Sequence, residues 1–266
     1  MTLINLKIRI DGFFMSVIIA LFNQSGGVGK TTLTQNLGYH LAVRQHKVLL
    51  VDMDSQASLT TFMGLDPNQL EKTVYHAVVG EKPLPIHDDI YHMALVPSNV
   101  DLSAAEMELV SVLMRELRLK NVIEPLLPKY DFILIDCPPS LGILSILGLV
   151  AATHVLVPVQ CQFKSFQGTD LLLRTLTKIK KAANPHLILG GFVPMMYDIR
   201  NNQDGQIYRA MQQQLSPVGT VFNPVPNATA FANASLQRQP LAVYAPTHRA
   251  VIPLEQIVDN LEKLGA

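Results

Sequence analysis

The sequence has little of what marks a secreted, metal-clustered or membrane-spanning chain. Its 266 residues hold two cysteines, Cys137 and Cys161, which form neither a disulfide framework nor a metal-ligand spacing. No apolar run reaches the ~18 residues needed to cross a bilayer. The nearest, residues 142–152, follows a Pro-Pro pair and reads as a buried helix. The histidines are scattered, and no signal peptide, internal repeat, low-complexity tract or linker stands out. The expectation is a cytoplasmic protein whose 48% hydrophobic content fills one α/β core. Charge of one sign is missing too, since 21 Lys/Arg balance 21 Asp/Glu.

That balance is uneven. Residues 1–150 carry −4 (11 basic, 15 acidic) and residues 151–266 carry +4 (10 basic, 6 acidic). Between residues 199 and 249 the cations Arg200, Arg209, Arg238 and Arg249 meet a single acid, Asp204. Such an asymmetry permits an anionic partner, nucleic acid for example.

What is present is organised around residues 17–32. Residues 17–22 are apolar throughout, too continuous for a strand with one wet face. Gly26, Gly27 and Gly29 then remove side chains where backbone N–H groups must turn inward around an anion. Lys30 offers a mobile positive charge to β- and γ-phosphates, and Thr31 a hydroxyl to Mg²⁺. A helix over residues 30–44 points its positive end at the same place.

Further strands are expected over residues 47–54, 91–97, 131–136, 154–159 and 187–193. Helices are expected over 55–63, 68–79, 104–119, 142–152, 167–183 and 253–264, with the stretch from 193 to 253 irregular. This alternation predicts an α/β fold, a doubly wound and mainly parallel sheet flanked by helices. Asp52 and Asp54 close the second strand and Asp136 the fourth, where an open parallel sheet binds its ligands. Hydrolysis of a γ-phosphate needs a cradle, a metal and a group that positions water. Asp136 suits the metal's outer shell, Asp54 the water, and Asp52 the support of metal and loop. Residues 1–14 leave two readings, an extra edge strand or an upstream start before Met15, with residues 15–266 as a single domain.

The motifs resemble those of the ParA/MinD ATPases, P-loop NTPases with a deviant Walker A loop, K-G-G-V-G-K-T-T. Gly26, Gly27, Val28, Gly29, Lys30, Thr31 and Thr32 match that loop without a gap, but Ser25 stands at its signature lysine. Residues 51–56 resemble the V-D-x-D-P-Q switch I, with Ser55 where proline is usual. Residues 135–140 match the switch II I-D-C-P-P-S, and Pro158-Val159-Gln160 resembles the following P-x-Q. Residues 238–244 resemble the C-terminal G-K-P segment. The resemblance implies ATP and Mg²⁺ as cofactors and a face-to-face homodimer in the ATP state. It also implies slow hydrolysis triggered by a partner protein, and adenine contacts near Met195, Pro224 and Pro226.

In the family the signature lysine reaches the partner subunit's phosphates, which Ser25 cannot do. Lys164, flanked by Phe163 and Phe166 just after the fifth strand, is the candidate substitute; the alternative is a solvated surface lysine. A loop lacking that lysine also resembles the McdA branch, which distributes carboxysomes over the nucleoid with McdB as adaptor. Plasmid or chromosome partition with a ParB-like adaptor is the alternative. A metabolic relative and a nucleotide-binding scaffold without turnover are further ones. MinD-type relatives end in a basic membrane helix, whereas residues 255–266 carry three acids and one lysine, which disfavours anionic lipid. Nonspecific DNA held by Arg200, Arg209, Arg238 and Arg249 is the expected surface, and a nucleoid-associated location follows.

Overall fold

The computed structural model describes residues 9–10, 13–14 and 16–264. β1 (Arg9–Ile10) and β2 (Phe13–Phe14) pair antiparallel as a two-stranded sheet of their own. They do not extend an edge of the main sheet, and the rest of residues 1–15 lies outside the described residues.

The main sheet has seven strands: β3 (Val17–Leu21), β4 (Val48–Asp52), β5 (His87–Ile90), β6 (Met93–Val96), β7 (Phe132–Asp136), β8 (His154–Gln160) and β9 (Ile188–Met195). Their order is β5-β6-β4-β7-β3-β8-β9, and every pair is parallel except β5 with β6. The central strands are buried on both faces, as unbroken apolar runs require. Alternation splits each between two layers. Ile18 and Ala20 face one cluster, while Val17, Ile19 and Leu21 face the other.

The first layer contains α3 (Val74–Gly80), α4 (Leu102–Glu108), α5 (Arg118–Ile123), α6 (Ile143–Ala151), α8 (Thr169–Ala182) and α9 (Asn202–Leu215). The second contains α1 (Lys30–Val43), α2 (Ser58–Phe62), α10 (Thr229–Leu236), α11 (Leu241–Tyr244) and α12 (Val251–Leu261). A short α7 (Phe163–Gln167) links β8 to α8. α1 lies so close to the sheet that a Cβ on Gly38 would stand 2.7 Å from Leu50 Cδ2 and 2.9 Å from Met93 Sδ. A larger residue there would have to displace the Leu50 and Met93 side chains that pack the helix bearing Lys30 against β4 and β6.

Several expected elements differ. No single helix spans residues 104–119. The chain breaks after α4 into 3-10 turns at Leu109–Ser111 and Arg115–Leu117. Met114 takes a left-handed φ of 53°, and Arg115 closes the break by donating to the carbonyls of Leu109 and Val110. The helix expected over 68–79 begins only at Val74, because Thr73 and His76 form a capping box. The stretch expected to be irregular contains α9, α10 and α11. α9 was hidden by its glutamines, yet it carries a buried stripe of Ile207, Met211 and Leu215 and an Asn201 cap.

Candidate functional site

Three carboxyl ends meet at the middle of the sheet. Leu21 of β3 and Asp52 of β4 are both register partners of Asp136 of β7. The loop after β3 rises over this floor and returns at Gly29, whose φ of 92° starts α1. Such a backbone favours glycine, and a Cβ there would also meet Met195 Cε at 2.7 Å. No side chain caps α1, so its first N–H groups face the loop as an anion site does. Gly26, Gly27 and Ser25 are exposed at the rim, while Val28 is buried as an anchor. A Cβ on Gly26 would lie 3.8 Å from Pro139 Cβ, so the turn after β7 borders the loop.

Asn23 shapes the loop from inside. Its amide donates to Pro158 O at 2.7 Å, and its Oδ1 accepts from Ser25 N–H at 2.9 Å. Lys30 is 6% exposed and donates through Nζ to the carbonyls of Asn23 and Ser25. Burial pushes its ammonium below the ordinary lysine value, and the nearby Asp136 opposes that shift. A cation so placed gains by exchanging two carbonyls for phosphate oxygens.

Asp52 is fully buried. Its Oδ2 accepts from the Thr60 N–H and hydroxyl, and its Oδ1 from Asp54 N–H. Burial raises its carboxyl to about 6 against these bonds. Asp136 differs: it is 1% exposed, and neither oxygen accepts a hydrogen bond from a described residue. Burial, reinforced by Asp52, pushes its carboxyl well above the usual range. Thr31 and Lys30 oppose this, Thr31 as a nearby donor that stops short of bonding geometry. A buried carboxylate without partners demands a cation or a proton.

Asp136, Asp52 and the Thr31 hydroxyl are the hard oxygen donors that suit Mg²⁺. Among the described residues no group of three His, Cys, Asp or Glu could hold a metal by itself. Asp54 is half-buried at the rim, its Oδ1 accepting from Gln56 N–H.

Other expected residues lie farther out. Lys164 is exposed on α7, next to Ser165, which bonds Gln160. Met195 is 3% exposed beneath Gly29, and Met196 is the more open of the pair. Pro224 and Pro226 line a cavity of about 270 Å³ with Tyr197, Ile199, Arg249 and Pro253 among its other walls. The four arginines are all exposed but do not form one cluster. Arg200 makes a bidentate pair with Asp198, and Arg249 acts on the same carboxylate. Arg209 projects from α9 in the first layer, whereas Arg238 follows α10 in the second and reaches Gly64 O.

Asn23, Thr60 and Asn36 were not picked out from the sequence. Asn36 accepts from Leu241 N–H at 2.7 Å and so fastens residues 238–244 to the phosphate helix. The only signal for it was a polar residue on the buried face of a helix.

Residues 16–189 match a family model described as an AAA domain. The chain is 39% identical over 193 residues to the chromosome partitioning protein ParA of Myxococcus xanthus, covering 71% of this chain and 68% of that one. It resembles a solved Mycobacterium smegmatis cobyrinic acid a,c-diamide synthase with bound ATP analogue and magnesium, with a TM-score of 0.81 and 31% identity over 92% and 93% of the two chains. The ATP complex of Cyanothece McdA gives a TM-score of 0.83 and 25% identity over 94% and 97%.

Proposed function

The chain belongs to the ParA/MinD family of ATPases, and on that premise we propose an ATP-dependent dimerising switch that binds nonspecific DNA and positions a cargo. ATP and Mg²⁺ are its cofactors, and its reaction converts ATP and water to ADP and phosphate. Residues 15–266 act as one ATPase domain in this reading. Lys30 and the N–H groups of residues 26–32 hold the phosphates, while Thr31, Asp52 and Asp136 hold the metal. Asp54 orients the attacking water. Adenine rests near Pro224 and Pro226, with Met195 supporting the loop from below. Lys164 supplies the cross-subunit charge that Ser25 lacks.

One observation carries the switch: Asp136 is fully buried with two unpartnered oxygens beside Lys30 and Thr31. A carboxylate so buried favours whatever brings positive charge beside it, so metal and nucleotide alter the site sharply. The exposed Arg200, Arg209, Arg238 and Arg249 support sequence-independent contact with DNA phosphates, and through it association with the nucleoid. No described helix is long and apolar enough to cross a membrane, and the acids Glu255 and Asp259 on α12 disfavour lying on one.

The cargo that the ParA resemblance favours is a plasmid or chromosome, with a ParB-like adaptor stimulating slow hydrolysis. The McdA resemblance favours a second reading, carboxysome positioning with an McdB-like adaptor. Retention on nonspecific DNA, compared with ATP, ADP and no nucleotide at low and high salt, tests the switch. Retention that needs neither ATP nor low salt defeats it. Deleting the gene and observing plasmid and carboxysome positions separates the two cargoes.

A further inference from the structure

One side chain touches three parts of the site at once. Gln160, the last residue of β8, donates through Nε2 to Gly27 O at 2.9 Å, at the exposed crest of the phosphate loop. The same nitrogen lies 3.2 Å from Met196 Sδ, just past the end of β9. Its Oε1 accepts from the Ser165 hydroxyl on α7 at 3.4 Å. The backbone around it is fixed: Gln160 is the register partner of Met195, and Gln162 N–H bonds back to Gln160 O at 2.7 Å.

We propose that Gln160 is a positioning residue that sets the phosphate-loop crest and ties it to α7. The Gly27–Val28 peptide is trans, so its carbonyl and N–H point in opposite directions. By holding the Gly27 carbonyl outward, Gln160 turns the Val28 N–H toward the bound phosphates. Gly27 has a φ of 70° and no neighbour within 4 Å of where its Cβ would be, so at the exposed crest the Gln160 bond adds to the hold of the buried Val28. An amide suits the position because its nitrogen grips the loop while its oxygen grips α7. Filling the loop with phosphate therefore steadies Gln160, and through Ser165 steadies the helix bearing Lys164. This coupling needs only nucleotide in the loop. It does not depend on DNA, cargo or a cross-subunit role for Lys164.

The test uses Gln160→Leu, which keeps the bulk and removes both bonds, alongside Gln160→Asn, whose shorter amide cannot span both contacts. ADP affinity should fall about three- to tenfold in Gln160→Leu, the size of one lost hydrogen bond. Adenosine affinity should not change, because adenosine places nothing in the loop. At saturating ADP, hydrogen–deuterium exchange over residues 163–167 should slow in the wild type and not in either variant. The melting temperature without nucleotide should fall by only a few degrees, the cost of a partly exposed hydrogen bond; a larger fall marks a general structural role and overturns the proposal. Wild-type ADP affinity in Gln160→Leu overturns the proposal. So does an equal loss for adenosine, or ADP-dependent slowing of α7 that survives in both variants. DNA retention enters none of these readouts, so this proposal and the switch reading fail separately.

Discussion

At the strand ends Lys30, Asp52 and Asp136 are each less than a tenth exposed, and Lys30 and Asp52 have their polar atoms assigned to named partners. Between residues 196 and 250 the arginines stand in solvent, spread over both layers of the fold. The first region recognises a small, highly charged ligand, so each donor needs a fixed direction before the ligand arrives. The second has only to meet a repeating line of phosphates, for which number and sign of charge matter more than direction. Substitutions should therefore act as near-complete losses in the first region and as graded ones in the second.

The sharpest break is Asp54→Ala. Removing the group placed to orient water should lower kcat for ATP roughly a hundred- to ten-thousandfold. Nucleotide affinity should hold within a few-fold, because Asp54 touches neither Lys30 nor the loop in its hydrogen bonding. Phosphate release and nucleotide titration on one preparation check both. Affinity that collapses with turnover would reassign Asp54 to binding.

Lys164→Ala probes whether an exposed residue can follow the rules of the buried region. If its ammonium meets phosphates across a dimer interface, it is desolvated there. Its loss should then weaken ATP-dependent self-association by about thirtyfold or more. Sedimentation of the ATP-bound protein measures this, and an unaffected dimer removes Lys164 from the site. A lysine that remained solvated would change little.

Acid should strengthen the nucleotide-free strand ends. The carboxyl of Asp52 sits at about 6, above its ordinary 3.8, and Asp136 shifts the same way. The folded state thus binds these protons more tightly than the unfolded chain. The contribution of Asp52 to stability is complete below the ordinary carboxylate value and is lost as pH rises through about 6, and that of Asp136 changes in the same direction. The free energy of unfolding should therefore rise between neutral pH and about pH 5, by on the order of 1 kcal/mol from Asp52 alone. Asp52→Asn should flatten the curve; an equally steep curve in that variant would place the titration elsewhere. Arg209→Ala should leave it as it is.

The two regions also differed in how far they could be read from sequence. Glycines at 26, 27 and 29, Lys30 and Thr31, and acids ending two apolar strands are demanded by backbone geometry and metal chemistry. The structure places them together at the carboxyl ends of the central strands. Gln160 could be named from the P-x-Q pattern, but its hold on Gly27 joins residues 133 positions apart, and no local pattern encodes that. Thr60 is similar: its hydroxyl bonds Asp52 and also receives Ser98 N–H, linking α2 to the end of β6. α9 escaped because glutamine and asparagine mask a three-residue apolar stripe. The break after α4 escaped because Val110, Leu113 and Met114 continue an apolar pattern while standing in solvent, Leu113 at 90% exposure.

The smallest effects should come from the arginines, and their ranking tests whether that region is loosely organised. Arg209→Ala should weaken DNA binding only a few-fold and reduce the slope of log affinity against log salt by about one. Arg238→Ala should act independently and add to it, since the two lie on opposite layers. Arg200→Ala should cost least. Its guanidinium is already engaged by Asp198, whose carboxyl is drawn down to about 2 by that pair. To meet a phosphate it must give up one anion for another. Asp198→Asn then becomes the informative change, because it releases Arg200 and removes a negative charge beside Arg249. DNA affinity should rise in Asp198→Asn and become more sensitive to Arg200→Ala. If affinity falls instead, the Asp198–Arg200 pair is a shaped element of the surface, and this region shares the directional rules of the phosphate loop.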